Sequence, residues 1–229
     1  MKPIIFAAVA CAATACGAGQ DAGRTDSAAS MNPAPLATPA ISAGTVTVLG
    51  SVPAGIDAIG HHGENTYDMV KAGNWAGARA SVDSIRPMLD SIPASATIAF
   101  RELNQSVVNK DQRAALVASN RLTQLGAVLS QPYHPPVPTE VMLLDYDGRE
   151  LEIWAAAGDS VRLRQTATAM RRTWNAVRPR VEARGGTAEA SSFDALLGRV
   201  EAATAPTDFA RLATPVLDAV DTLEQVFTR

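Results

Sequence analysis

The residues best suited to chemistry lie in one short stretch, GHHGE at residues 60–64. His61, His62 and Glu64 combine two imidazoles with a carboxylate, a set that suits a borderline divalent metal ion. Neighbouring residues of a helix point about 100° apart, so an intact helix presents only one of the histidines together with Glu64. Further ligands would have to come from elsewhere in the chain. The alternative is that all three are exposed polar side chains near a helix start.

Familiar catalytic motifs are missing from the sequence. It has no GxSxG elbow, HExxH pair, GxxxxGK phosphate loop, CxxC pair or CxxCH haem motif. The DYDG stretch at residues 145–148 begins like a calcium loop but lacks the later oxygen positions and the closing glutamate. The sequence therefore gives no positive reason to expect an enzyme, and we expect a protein without catalytic activity or a cofactor.

One stretch of the chain is written twice, at residues 66–92 and again at residues 151–177. At a constant spacing of 85 positions, Gly73 corresponds to Gly158 and Ile85 to Met170. In each copy an apolar segment ends at a Gly-Asn or Gly-Asp turn, and a longer amphipathic segment follows. This pattern predicts a helical hairpin that occurs twice.

The helical pattern extends well beyond the hairpin. Four amphipathic segments precede the turn-rich stretch 131–138, and four more follow it. The spacing between corresponding residues changes to 93 and then 95 after the Gly-Gly loop at 185–186, where we expect the buried positions Phe193, Leu196, Val200, Ala210, Ala213, Leu217 and Val220. The sequence predicts an all-α, internally duplicated helical bundle with about four helices per repeat, at residues 55–131 and 139–229. The alternative is chance agreement between two alanine-rich amphipathic sequences.

The repeat predicts structural roles for several single residues. Gly63 and Gly148 occupy the same stripe position, which indicates close helix approach or a kink. Asp147 corresponds to His62 and is the candidate for a further metal ligand from the second repeat. Pro87 and Pro179 should each kink or break a helix. We expect the tryptophans to lie in the core or to line a groove.

The N-terminus has the features of an export signal. Lys2 precedes a short apolar run, too short to span a bilayer, and residues 1–15 are predicted to be a signal peptide. Ala13-Thr14-Ala15-Cys16 resembles a bacterial lipoprotein signal, in which Cys16 is acylated; an ordinary signal-peptidase site is the alternative. Residues 16–54 are rich in Ala, Gly, Ser, Thr and Pro, and we expect a flexible, lipid-attached linker. The mature chain would then be anchored in the periplasm or at the cell surface.

The charge pattern excludes some partners. A net charge of −3 does not favour nucleic acid. Residues 140–159 carry six acids and one arginine, whereas residues 162–184 carry seven arginines and one glutamate. We interpret these segments as complementary solvated faces of neighbouring helices. A basic patch for an anionic partner is the alternative.

The block YDMVKAGNWAGARASVDSIRPMLDSIP at residues 67–93 resembles a hairpin of imelysin-like proteins and periplasmic iron-uptake lipoproteins. The resemblance implies an exported, all-helical protein of the kind often built from duplicated four-helix bundles. Several of those proteins carry an HxxE metal motif, and His61 and Glu64 have that spacing.

Two functional hypotheses follow. The first is an exported, lipid-anchored binding or interaction module that presents a groove between the repeats to an envelope protein or a small ligand. The second is a periplasmic metal-handling protein that binds a divalent ion through His61 or His62 with Glu64.

Overall fold

The computed structural model describes residues 50–229, and all the regular structure in this part of the chain is helical. The predicted signal peptide, Cys16 and most of the predicted linker lie outside the described residues. The eight α-helices of the described part are α1 (Ala54–Lys71), α2 (Trp75–Ile85), α3 (Ala94–Asn109), α4 (Gln112–Ser130), α5 (Thr139–Ala157), α6 (Ser160–Ala183), α7 (Thr187–Ala202) and α8 (Pro206–Thr228). The predicted all-α helical bundle is confirmed.

The repeated hairpin turn has a simple local cause. Gly73 and Gly158 have φ angles of 71° and 70°, a left-handed conformation that glycine adopts without steric cost. The next residue then caps the following helix. The side chain of Asn74 accepts a hydrogen bond from the backbone N–H of Gly77, and Asp159 accepts from the first residues of α6. The Gly-Asn and Gly-Asp pairs therefore end one helix and begin the next.

The buried apolar side chains form two separate clusters. The first half, α1–α4, has its own core, which includes Ile59, Val82 and Leu103. The second half, α5–α8, has another core, which includes Leu144, Met170 and Trp174. No residue belongs to both clusters. The helices of residues 54–228 form one compact unit whose apolar core is divided into two clusters, one in each half.

The order of packing is the same in both halves. In the first half α1 packs on α2 and α4, and α3 packs on α4. In the second half α5 packs on α6 and α8, and α7 packs on α8. The two halves meet where α4 packs on α5, across the connector at residues 131–138.

The buried positions of α7 and α8 correct the predicted register. Leu196 and Leu217 are only half-buried and Ala210 is exposed, whereas Leu197 and Val216 are buried. Phe193, Val200, Ala213 and Val220 are buried as predicted, so the error concerns Leu196, Ala210 and Leu217, where an adjacent apolar residue allows the stripe to be placed one position off. A spacing of 94 also relates buried positions of the last two helices of each half, as in the pairs Ala96/Ala190, Leu103/Leu197 and Leu122/Val216. A duplicated unit would produce this recurrence; common descent of the halves stays a prediction.

The two prolines within the predicted helices affect them differently. Helix α2 ends at Ile85, and the chain continues through Pro87 as a 3₁₀ helix, Arg86–Ser91, as expected for a helix-breaking proline. Helix α6, in contrast, is not broken at Pro179 and continues to Ala183.

Gly63 and Gly148 both mark close helix contacts, as predicted. A Cβ atom on Gly63 would lie 2.9 Å from the backbone of α4, and one on Gly148 would lie 2.7 Å from Leu217 of α8. In both halves the glycine lets the first helix pack tightly on the fourth. Trp174 is fully buried, and Trp75 and Trp154 are half-buried against the two cores, which confirms their predicted packing roles.

Candidate functional site: the polar junction between the two halves

The GHHGE stretch lies within α1, and its side chains diverge. His61 is exposed, and its ring centroid is 5.8 Å from that of His62 in an edge-on arrangement. Partial burial, and then the neighbouring His61, lower the pKa of His62. Glu64 points toward the second half and faces Arg149, whose Nη1 lies 3.9 Å from its Oε1.

The candidate metal ligands are not brought together. Asp147 is buried, and the charged groups that act on it are Glu150 and Arg172. Within residues 50–229, no group of three histidine, cysteine, aspartate or glutamate side chains is placed to hold a metal ion. The set of His61, His62 and Glu64 with Asp147, expected from the sequence, is therefore not assembled. The physical reason is that the carboxylates have other surroundings: Glu64 faces Arg149, and Asp147 is buried within reach of Glu150 and Arg172.

Glu64 belongs instead to a cluster of charged and polar residues where α1 faces α5. The hydroxyl of Tyr67 donates a hydrogen bond to Glu152 Oε2 at 2.9 Å, and Lys71 Nζ lies 2.6 Å from Glu152 Oε1. Arg149 Nη1 lies 2.7 Å from Asp145 Oδ2, and its guanidinium lies 5.3 Å from the centre of the Tyr67 ring. We call this cluster the polar junction; it consists of Glu64, Tyr67, Lys71, Asp145, Arg149, Glu152 and Glu224.

The polar junction pairs corresponding positions of the two halves. Glu64 and Arg149 are 85 residues apart, as are Tyr67 and Glu152. The same offset relates the two copies of the hairpin in the sequence. Opposite charges at the corresponding positions 64 and 149 were therefore the signal in the sequence that could have identified this contact.

Burial raises the pKa of three carboxyl groups of the junction, those of Glu64, Asp145 and Glu224. Desolvation raises the pKa of Glu64 to about 7, opposed by Arg149 and reinforced by Asp145, Glu224 and Asp68. Desolvation likewise raises the pKa of Asp145 to about 6 and that of Glu224 to about 7. The site can therefore bind and release protons near neutral pH.

A second polar network lies where α4 packs on α5. The side-chain amide of the buried Asn120 donates to the Tyr146 carbonyl at 3.1 Å and to Glu150 Oε1 at 3.0 Å. The indole N–H of Trp154 donates to Glu150 Oε2 at 2.5 Å, and the Arg162 guanidinium lies 4.1 Å from the centre of the Trp154 ring. The contact between the halves is thus polar on this side as well.

Three arginines of α6 pair with acids of neighbouring helices. Arg171 forms a two-pronged contact with Glu201 of α7 at 2.7 Å, Arg178 contacts Asp194 of α7, and Arg180 contacts Glu140 of α5. These three contacts agree with complementary charged faces on neighbouring helices.

Two shallow depressions lie at corresponding places in the two halves. The first, of about 530 Å³, lies beside the α3–α4 turn and includes Gln105, Asn109 and Ala114. The second, of about 330 Å³, lies beside the α7–α8 turn and includes the corresponding Arg199, Ala203 and Asp208, each 94 positions later. Both are open and carry polar side chains. Each lies within one half, whereas the sequence led us to expect a groove between the halves.

No protein-family model, curated protein or solved structure matches this chain. The resemblance of residues 67–93 to imelysin-like proteins therefore stays an expectation drawn from one hairpin. Among residues 50–229 there is no helix with the length and apolar character needed to cross a bilayer.

Proposed function

We propose that this chain is an exported, lipid-anchored interaction module of the bacterial cell envelope, without catalytic activity. The proposed cellular location rests on the sequence alone. Residues 1–15 have the pattern of a signal peptide, Cys16 is the residue to be acylated, and residues 16–54 have the composition of a linker. The helical bundle that begins at Ala54 would then be held near a membrane surface, in the periplasm or outside the cell.

The observation that carries the binding role is the pair of depressions beside the α3–α4 and α7–α8 turns. Sites for small molecules are mostly concave, enclosed and apolar. These depressions are open, and polar side chains line them together with apolar surface, a combination that resembles a protein–protein contact with its polar rim. A protein partner therefore fits them better than a small apolar ligand. Their recurrence at corresponding positions suits a partner that contacts both halves.

Site-specific photo-crosslinking in cells tests this proposal. A photoreactive amino acid at Gln105 or at Arg199 places the probe in one depression or the other, and exposed Ser84 on α2 serves as the control position. We expect the same protein adduct from both depressions and none from Ser84. In a Cys16→Ser background the protein should leave the membrane fraction, and the adduct should be lost.

Two results would count against the proposal, and they are distinct. Equal labelling from Ser84, or no adduct from either depression, would refute the binding surface. Continued membrane retention of the Cys16→Ser variant would refute the lipid anchor and leave the binding surface to be judged by the adducts alone. No contact among the described residues favours a metal-handling role.

A further inference from the structure

The contact between the two halves differs from the contacts within each half. Each half has its own apolar core, and no buried apolar cluster crosses between them. Where the halves meet, buried polar groups such as Asn120 and Asp145 occupy the interface. Relative motion is the default expectation for domains that meet through a modest polar interface, because such an interface loses little free energy when it opens.

The two sides of this interface are built differently. On one side α4 packs directly on α5, and residues 131–138 connect the two helices with four prolines, which restrict the backbone. On the other side α1 and α5 have little backbone contact, and long polar side chains fill the space between them. The first side has the features of a hinge, and the second depends on ion pairs.

Few contacts hold the second side closed. They are the Glu64–Arg149 ion pair at 3.9 Å, the Tyr67–Glu152 hydrogen bond at 2.9 Å and the Lys71–Glu152 ion pair at 2.6 Å. Arg149 also lies over the Tyr67 ring. Asp145 and Glu224 lie near the same guanidinium and compete with Glu64 for its single positive charge, and repulsion among these carboxylates works against the contacts. Lys71 and Arg149 are therefore the two positive charges that hold α1 and α5 together on this side.

We propose that the polar junction is an ionic latch, and that the two helical halves rotate apart about the α4–α5 contact when the latch is released. Arg149 and Glu152 are the latch residues on α5, and Glu64, Tyr67 and Lys71 are those on α1. Release needs no unfolding of either half, because each core is complete without the other. The inference does not depend on the proposed function, since it concerns only contacts within residues 50–229.

Distances between spin labels test the latch. The labels are placed at exposed Ser95 on α3 and exposed Ser192 on α7, in a full chain whose Cys11 and Cys16 are replaced by serine. In the otherwise unchanged chain we expect one narrow distance distribution. In Arg149→Met the distribution should at least double in width and its mean should shift. In about 1 M salt, where the Debye length is about 3 Å, the distance distribution of the chain without latch substitutions should also broaden and its mean should shift.

Two further variants keep the outcome decisive. Glu152→Gln weakens the Lys71 contact with little change of shape, and it decides the question if Arg149→Met fails to fold. Arg164→Met is the matched control, because Arg164 is an exposed residue of α6 that forms no ion pair with the described residues. An unchanged distribution in folded Arg149→Met and folded Glu152→Gln would overturn the proposal. An equal change in Arg164→Met would do so as well.

Discussion

Arg149 connects both halves of the molecule through one guanidinium group. It contacts Asp145 at 2.7 Å on its own helix and Glu64 at 3.9 Å on α1, and Glu224 of α8 lies within its electrostatic reach. A single positive charge cannot fully neutralise three carboxylates, of which Asp145 is buried and Glu64 and Glu224 are partly exposed. The junction therefore favours a state in which some of these carboxylates carry a proton.

This imbalance predicts a pH dependence of stability. The folded-state pKa values of Glu64, Asp145 and Glu224, about 7, 6 and 7, exceed their ordinary values of 4.5, 3.8 and 4.5. The folded state therefore binds more protons than the unfolded state within this window, and stability falls as pH rises through it. After discounting for solvent screening at Glu64, whose side chain is 41% exposed, and at the partly exposed Glu224, we expect a loss of about 1–2 kcal/mol in the free energy of unfolding between about pH 5 and about pH 8.

Urea denaturation across this pH range checks the expectation. Glu64→Gln and Glu224→Gln should each flatten the decline, because each removes one of the responsible carboxyl groups. Glu102→Gln, at an exposed carboxylate of α3 outside the junction, is the control and should leave the slope as it was. A stability that rises steadily from about pH 5 to about pH 8 would contradict the assignment of raised pKa values to the junction.

At the scale of the helices, the tightest packing is the crossing of α1 and α4. Gly60 and Gly126 meet there, and a Cβ atom on Gly126 would lie 2.7 Å from the Gly60 Cα. This contact involves backbone on both sides, so neither helix can yield by rotating a side chain. The crossing therefore requires glycine.

Gly126→Ala should accordingly destabilise the protein by about 1–3 kcal/mol, even though alanine is the better helix former. Gly198 is the matched control: it lies inside α7, and a Cβ atom there would meet no atom within 4 Å. Gly198→Ala should stabilise the protein by about 0.5–1 kcal/mol. Thermal and chemical denaturation of the two variants measures both effects. We expect the two stability changes to have opposite signs. Equal stability changes in Gly126→Ala and Gly198→Ala would mean that the α1–α4 crossing can relax.

The same elements show which features a sequence can predict. The helical hairpin was predictable because a glycine followed by a capping residue is a local signal, and apolar stripes of period 3.6 identify the helices around it. The register of α8 was only partly predictable, because Ala210 and Leu217 each follow another apolar residue, Phe209 and Val216, and either member of the pair can be assigned to the stripe. The partners of Glu64 were also out of reach, because helical periodicity identifies the face of a residue but not the helix opposite it.

At the scale of the whole molecule, the separation of the two cores is the main architectural fact. Leu103 and Leu197 are corresponding residues 94 positions apart, and both are fully buried, the first in the core of α1–α4 and the second in the core of α5–α8. They share no apolar cluster. A cavity in one core should therefore leave the packing of the other unchanged.

A double-mutant cycle with Leu103→Ala and Leu197→Ala tests this independence. Each substitution removes a buried leucine and should cost about 2–5 kcal/mol of stability. Because the sites are distant and share no partners, the two costs should add within about 0.5 kcal/mol, measured as denaturant midpoints at one pH and salt concentration. If the halves also unfold separately, each single variant should produce a two-step transition in which only the mutated half moves to lower denaturant. A coupling energy well above about 1 kcal/mol would show that the cores support each other through the α4–α5 contact, and the halves would then behave as one body.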